Sequence, residues 1–194
     1  DHRSLGIHTT WVKWAVPTAE ALRQACLAQE SRILQEEPRL PAIMISRIEV
    51  SNSDFLGPID LELNPQYSVF IGGRGTGKST ILEYLRWALC DQPPSISDED
   101  SPNYQTRRTR LIESTLAAHG ATVDVTFRLH NVPHIVRRNS KDGSTMLKIG
   151  NAEMRTCTEG EVRTLLPIQA YSQKQLSNVC LLYTSPSPRD RQKY

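Results

Sequence analysis

The sequence predicts an α/β fold in which antiparallel strands occur before and after one loop–helix unit. Hydrophobic and polar residues alternate in residues 59–63 and again in residues 123–129, which is the period of a half-buried strand. Between these stretches, apolar residues recur at helical spacing over residues 81–89, directly after a glycine-rich segment at 72–77. These observations indicate helices packed on a largely antiparallel sheet.

Composition restricts the possible classes of protein. The 194 residues are 38% hydrophobic and 23% charged, with a net charge of +2 that is too small to indicate nucleic-acid binding by itself. The cysteines form no C-x-x-C pair, which argues against a zinc site and favours reduced thiols in a cytoplasmic protein. They are Cys26, Cys90, Cys157 and Cys180. No apolar run reaches the roughly 20 residues that a membrane helix needs, so we expect no membrane partner.

A first unit is predicted over residues 1–35. The stretch HTTWVKWA suggests a short strand, and Thr18 then begins a helix that runs through residue 33. A linker with two prolines follows at residues 36–42.

The second predicted unit covers residues 43–178. It begins with strands at 43–50 and 59–63, and the apolar run SVFI at 68–71 predicts a strand buried on both faces. The helix that starts near residue 81 should end before Pro93, and an acidic, serine-rich loop follows.

The rest of this unit is predicted as a helix closed by Gly120, strands in ATVDVTFRL, HIVRRNS and STMLKIG, and a short polar helix near residues 159–166. Asp142–Gly143 is the expected hairpin turn, of type I′, which needs positive φ at both central residues.

The glycine-rich segment, GGRGTGKS at residues 72–79, matches G-x-x-x-x-G-K-[ST] in full. Its glycines bring backbone N–H groups close to phosphate, Lys78 places a cation on the β and γ phosphates, and the Ser79 hydroxyl ligates Mg²⁺. The segment therefore predicts a site for ATP and Mg²⁺ at the start of a helix. The expected binding residues are Gly72, Gly73, Arg74, Gly75, Thr76, Gly77, Lys78, Ser79 and Thr80.

The segment at residues 72–79 is the P-loop motif, and other motifs in the sequence favour some classes of P-loop protein over others. A GTPase is disfavoured because the D-x-x-G match, Asp54 to Gly57, precedes the loop and N-K-x-D is absent. With strands before the loop and a hairpin after it, residues 43–178 resemble the N-terminal lobe of an ABC-type ATPase head of the SMC and double-strand-break-repair group. The quoted stretches are ISRIEVSNSDFLGPIDLEL, FIGGRGTGKSTILEYLRWAL, ATVDVTFRL and AYSQKQL. The resemblance implies a P-loop NTPase with an antiparallel β layer.

The same resemblance implies that Gln173 is the Q-loop glutamine, which touches Mg²⁺ and the attacking water. Gln169 and Gln175 lie close enough in sequence to be confused with it. Residues 1–35 resemble the end of a PHP phosphoesterase domain, in which His2 would match the last metal-binding histidine, with its aspartate partner outside the chain.

Several parts of an ABC-type head are not found in this sequence. There is no apolar strand that ends in Asp-Glu and no LSGGQ-like signature, and Asp124 lies in an apolar strand without a following acid. We therefore expect an incomplete domain and a fragment of a longer protein. Residues 179–194 contain LLYTSPSPRD, which resembles translated sequencing-adapter sequence and is expected to be an artefactual tail.

Together these features predict a cytoplasmic, SMC-like ATPase head that binds ATP and, in the whole protein, hydrolyses it. The resemblance implies a head-to-head homodimer that acts on nucleic acid in DNA repair or defence. Two alternatives remain open: a nucleotide or small-molecule kinase with Arg107 and Arg108 as lid residues, and a non-catalytic module gated by nucleotide.

Overall fold

The computed structural model describes residues 9–14, 16–91 and 104–171. The chain forms two compact units, Asp1–Pro41 and Ala42–Tyr194. In the first, β1 (Trp11–Val12) pairs antiparallel with β2 (Ile33–Leu34), and helices α1 (Ala19–Leu27) and α2 (Gln29–Arg32) lie between them in sequence.

The helix predicted to run from Thr18 through residue 33 is only partly confirmed. Thr18 does begin α1, because its Oγ1 accepts a hydrogen bond from the Ala21 N–H at 3.1 Å. The helix is interrupted at Ala28, and Ile33 is extended because it pairs with Val12 of β1.

The second unit contains a six-stranded sheet in the order β4-β3-β5-β6-β7-β8. Every neighbouring pair of strands is antiparallel. The strands are β3 (Ile43–Val50), β4 (Ile59–Glu62), β5 (Thr122–Leu129), β6 (Val132–Asn139), β7 (Thr145–Ile149) and β8 (Arg155–Thr156). The predicted antiparallel β layer is confirmed.

One face of this sheet is covered by α3 (Lys78–Ala88) and α4 (Tyr104–Thr115), and α5 (Glu159–Leu165) joins the same core. The alternation of apolar residues decides which face is buried, since every second residue of a strand points to the same side. The fully buried core residues include Ile48, Tyr84, Leu116, Val123, Val125, Phe127, Val136 and Val162. Within the described ranges, no helix combines the length and the apolar character that crossing a membrane requires.

The opposite face of the sheet is polar and carries cross-strand ion pairs. Arg47 on β3 binds Asp60 on β4 through two hydrogen bonds, and this guanidinium lowers the pKa of the Asp60 carboxyl. Asp124 on β5 is paired in the same way with Arg137 on β6. Asp124 is therefore part of a structural ion pair on the polar face.

The two hairpin turns differ from the sequence prediction. The type I′ geometry occurs between β5 and β6, where His130 and Asn131 have φ of 47° and 66°. Between β6 and β7 the loop is longer than two residues, and only Gly143 has a positive φ. Asp142 instead accepts a hydrogen bond from the Ser144 N–H at 2.8 Å. Hydrogen bonding by the side chain of Ser144, and then by its N–H, lowers the pKa of the Asp142 carboxyl.

The prediction of a doubly buried strand at residues 68–71 is wrong in this structure. The segment pairs with no strand in the described part of the chain, and Val69 and Ile71 are 56% and 91% exposed. An apolar run needs neighbouring strands on both sides to be buried in a sheet, and sequence periodicity does not show whether they are present.

Replacing a core aromatic residue tests this packing. Phe127 is fully buried and stacks on His134, with ring centroids 5.1 Å apart, so we expect Phe127→Ala to lower the free energy of unfolding by about 3–5 kcal/mol. Phe55→Ala is the matched control because Phe55 is 53% exposed. Urea denaturation measures both, and equal losses of stability would contradict the assignment of the core.

Candidate nucleotide-binding site

The glycine-rich loop leads directly into the N-terminus of α3. Gly77 is the residue before the helix, with φ of 84°, and Lys78 is the first helical residue. Within the described part of the chain, no side-chain hydrogen bond caps this helix end. The first turn of a helix has N–H groups without intrahelical acceptors and carries a partial positive charge. This end of α3 can therefore bind an anion through its backbone.

Lys78 lies folded over the loop. Its ammonium donates to the carbonyl oxygens of Gly72 at 2.8 Å and Gly73 at 2.5 Å, and to Thr76 Oγ1 at 3.2 Å. Thr76 Oγ1 in turn donates to the Gly73 carbonyl at 3.0 Å. A side-chain cation is therefore held at the centre of the loop by three oxygens of the loop itself.

The other predicted binding residues surround this cation in sequence and differ in burial. Arg74, Gly75 and Ser79 are exposed, and Thr80 in the first turn of α3 is half-buried. The glycine loop and the first turn of α3 therefore carry a lysine, backbone N–H groups and a hydroxyl group. The lysine and the N–H groups can donate hydrogen bonds to phosphate, and the hydroxyl oxygen can ligate a cation bound to that phosphate.

A second loop, residues 53–57, supports the glycine loop. Leu56 packs on Gly77 so closely that a Cβ on Gly77 would lie 2.3 Å from Leu56 Cδ2. Ser53 Oγ and Tyr84 Oη form a buried hydrogen bond of 2.8 Å, which joins this loop to α3. The supporting loop therefore contacts the site at both the glycine turn and the helix.

The supporting loop is also held from its other side. The Asp54 N–H donates to the Thr115 carbonyl at the end of α4 at 3.0 Å, and the Asp54 carboxylate bonds to His119 Nε2 at 2.5 Å. In the sequence, this segment stands out as a misplaced D-x-x-G motif and as part of the stretch that carries the family resemblance. Nothing in its spacing shows that Leu56 meets Gly77, because that contact joins residues far apart in the chain.

The arginines of α4 and β6 differ in their surroundings. Arg107 and Arg110 are exposed. Arg108 and Arg138 are not simply solvated, because they donate to the carbonyls of Asp91 and Trp87 at 2.7 Å each. Those carbonyls lie at the C-terminal end of α3, the end opposite to the glycine loop.

Some sequence-predicted residues lie outside the described residues. These are Gln173, Gln175, His2, the acidic loop after Pro94 and residues 179–194. Gln169 is described and is exposed. Among the described residues, no group of His, Cys, Asp and Glu side chains is arranged to hold a metal ion.

The comparison with protein families identifies the class. A family described as the AAA domain matches residues 47–184, which is more than half of the chain. The chain belongs to the AAA domain family. Its α/β fold with an antiparallel sheet confirms the prediction of a P-loop NTPase fold. AAA domains are nucleotide-binding ATPase domains, so the prediction of nucleotide binding is confirmed at the level of the family.

Solved structures were compared as well. This AAA domain is similar to a chain from work on ATP-driven dimerization and DNA-stimulated activation of SMC ATPases, with 16% identity and a TM-score of 0.49. The similarity covers 77% of this chain and 95% of that chain. No curated protein matches the sequence.

Two glycines with nearly equal backbone angles allow a matched test of the loop. Gly75 and Gly77 have φ of 80° and 84°, but a Cβ on Gly75 meets nothing within 4 Å whereas one on Gly77 meets Leu56. A left-handed conformation costs a side-chain-bearing residue about 1–2 kcal/mol in both cases. We therefore expect Gly77→Ala to weaken ATP binding at least about tenfold more than Gly75→Ala, as measured by calorimetric titration.

The double substitution Leu56→Ala with Gly77→Ala removes the clash and should bring affinity back towards that of Gly75→Ala. Circular dichroism checks that each variant is folded. If Gly75→Ala and Gly77→Ala lose affinity equally, the contact with Leu56 does not shape the loop.

Proposed function

We propose that this AAA domain binds ATP with Mg²⁺ at residues 72–80. The observation that carries the proposal is the Lys78 ammonium lying at the uncapped N-terminus of α3, directly after a glycine with positive φ. Lys78 would hold the β and γ phosphates, and the N–H groups from Gly73 to Lys78 would surround them. The Ser79 hydroxyl would ligate Mg²⁺, which supplies charge neutralisation between the phosphates.

We further propose that the domain is the N-terminal lobe of an SMC-like ATPase head. The resemblance of residues 43–178 supports this, as does an antiparallel sheet whose strands come both before and after the glycine loop in sequence. By the same resemblance the whole protein would form a head-to-head homodimer in the cytoplasm. Its partner would be nucleic acid, in DNA repair or defence.

Hydrolysis would need groups beyond the glycine loop. Gln173 would orient the attacking water by the resemblance, since an amide both donates and accepts hydrogen bonds. Asp124 does not supply a catalytic acid, because Arg137 holds its carboxylate on the polar face of the sheet. We therefore propose that the chain by itself binds ATP and turns it over slowly.

The alternative of a small-molecule kinase gains no support from the described residues. Arg108, one of the two lid candidates, binds the Asp91 carbonyl at the far end of α3 and is held away from the glycine loop. A non-catalytic module gated by nucleotide shares the binding site and differs from our proposal only in turnover.

The first unit is proposed to be the end of a PHP-like domain over residues 1–35, with His2 as a former metal ligand, followed by the linker at 36–42. The resemblance of the sequence is what supports it. Reading the gene upstream of codon 1 tests it, since a PHP domain would add a series of histidines and aspartates. A gene without them would contradict the proposal. The downstream gene likewise tests whether residues 179–194 are natural.

Removing the loop cation tests the proposed ATP site. We expect Lys78→Ala to weaken Mg·ATP binding by about 10- to 100-fold, because hydrogen bonds to charged groups contribute about 1.5–3 kcal/mol. Lys141→Ala is the matched control, since it removes the same charge from an exposed position in the β6–β7 loop. Fluorescence titration with a labelled ATP analogue measures the affinities.

Equal affinity in the wild type and Lys78→Ala would count against the assigned site. Measuring the steady-state release of phosphate then distinguishes an ATPase from a non-catalytic module gated by nucleotide. Slow release that Lys78→Ala abolishes supports an ATPase, whereas binding without any release favours the nucleotide-gated module.

A further inference from the structure

A cavity of about 280 Å³ lies at the C-terminal end of α3, away from the glycine loop. Three arginines from three different elements line it: Arg108 of α4, Arg138 of β6 and Arg163 of α5. Trp87 and Cys90 contribute the wall from the end of α3. Neither the proposed ATP site nor the family match assigns a role to this cavity, which we call the arginine cavity.

Backbone carbonyls hold each guanidinium in place. Arg108 donates to Asp91 at 2.7 Å and Arg163 donates to Cys90 at 2.6 Å. Arg138 donates to Trp87 at 2.7 Å, and its guanidinium lies 4.7 Å from the centre of the Trp87 ring. The Trp87 carbonyl lies in the last turn of α3, and the Cys90 and Asp91 carbonyls lie in the turn directly after the helix. These bonds therefore hold the three guanidinium groups around one space beside the end of α3.

One carboxylate already bridges two of these arginines. Glu159 accepts from Arg138 through Oε1 and from Arg163 through Oε2, the latter at 2.5 Å. Its side chain is 43% exposed, so it can move into solvent when another anion competes for the same donors. The Glu159 carboxylate therefore marks where an oxyanion fits between the arginines.

Among the described residues that line the arginine cavity, three arginines face two carboxylates, those of Glu113 and Glu159. Burial raises the pKa of the Cys90 thiol, so this group stays neutral and adds no negative charge. Arg138 is only 12% exposed, and its buried Nε–H has no acceptor among the described residues. Such a buried donor is costly unless it finds an acceptor.

We propose that the arginine cavity binds a phosphate-sized oxyanion, either free phosphate or the terminal group of a small phosphate monoester. Guanidinium groups match phosphate oxygens in geometry, and two of them can each offer paired donors. A phosphate carries more charge than the Glu159 carboxylate and has more acceptor oxygens, so it competes effectively for Arg138 and Arg163. This site is separate from the proposed ATP site and does not depend on it.

The test uses the full chain carrying Lys78→Ala, which removes the phosphate affinity expected of the glycine loop. Calorimetric titration with inorganic phosphate, at constant ionic strength set by sodium chloride, gives the affinity. We expect saturable binding with one site per chain. Arg163→Gln should weaken it about tenfold or more, and Glu159→Gln should strengthen it several-fold because the competing carboxylate is gone.

Arg155→Gln is the matched control. Arg155 is an exposed arginine that pairs with Glu161 and does not line the cavity, so its loss should leave phosphate affinity unchanged. Arg163 is 34% exposed, and Arg163→Gln is preferred to substitution of the more buried Arg138 because it leaves the protein folded more readily. Circular dichroism verifies the fold of each variant.

The outcomes separate the possible sources of phosphate. Binding of ribose 5-phosphate as tight as that of inorganic phosphate, with no binding of ribose, indicates a phosphate monoester. Binding of inorganic phosphate alone indicates the free ion. The proposal is overturned if phosphate does not bind, or if Arg155→Gln weakens binding as much as Arg163→Gln. Because Lys78 is absent throughout, a failure of the ATP proposal would leave this result unaffected.

Discussion

The position of α3 depends on the buried hydrogen bond between Ser53 and Tyr84, which are 2.8 Å apart. Tyr84 is fully buried, so loss of either partner would leave a polar group without a partner in the core, at a cost of about 1–3 kcal/mol. The same loop that carries Ser53 places Leu56 against Gly77. The geometry of the glycine loop at the start of α3 therefore depends on contacts with residues outside the glycine motif.

The opposite end of α3 is fixed by charged donors. Guanidinium groups from α4, β6 and α5 bind carbonyls at the end of the helix and in the turn directly after it. The buried pair of Arg86 with Asp91, at 2.7 Å, joins that turn to α3 itself. A helix held at both ends cannot shift along its axis without breaking several of these bonds. Rearrangement on ligand binding should therefore occur in the glycine loop, where the bonds of Lys78 are exposed.

Features that depend on residues close together in the chain were predictable from the sequence, whereas features that depend on contacts between distant residues were not. The strands β3 to β7 and the helix after the glycine loop were predictable, since local periodicity and turn residues determine them. The helix predicted to be closed by Gly120 is only partly confirmed, because α4 ends at Thr115 and Gly120 closes a separate 3-10 turn at Ala117–His119. The prediction of a buried strand at 68–71 was wrong, because burial requires pairing with distant strands, which local periodicity does not show. The contact of Leu56 with Gly77 and the capping of α3 by Arg138 were also invisible, since they depend on side chains brought together only by the fold.

The two proposed anion sites lie at opposite ends of α3, where the helix dipole acts in opposite senses. At the N-terminus the helix dipole and the N–H groups of the first turn favour an anion, so one lysine beside them would be enough. At the C-terminus the helix end carries about half a negative charge, which opposes an anion. The three guanidinium groups would have to overcome this charge as well as the carboxylates of Glu113 and Glu159, which also line the cavity. Affinity at the arginine cavity must therefore come mainly from the fixed geometry of Arg138 and Arg163, which their bonds to backbone carbonyls provide.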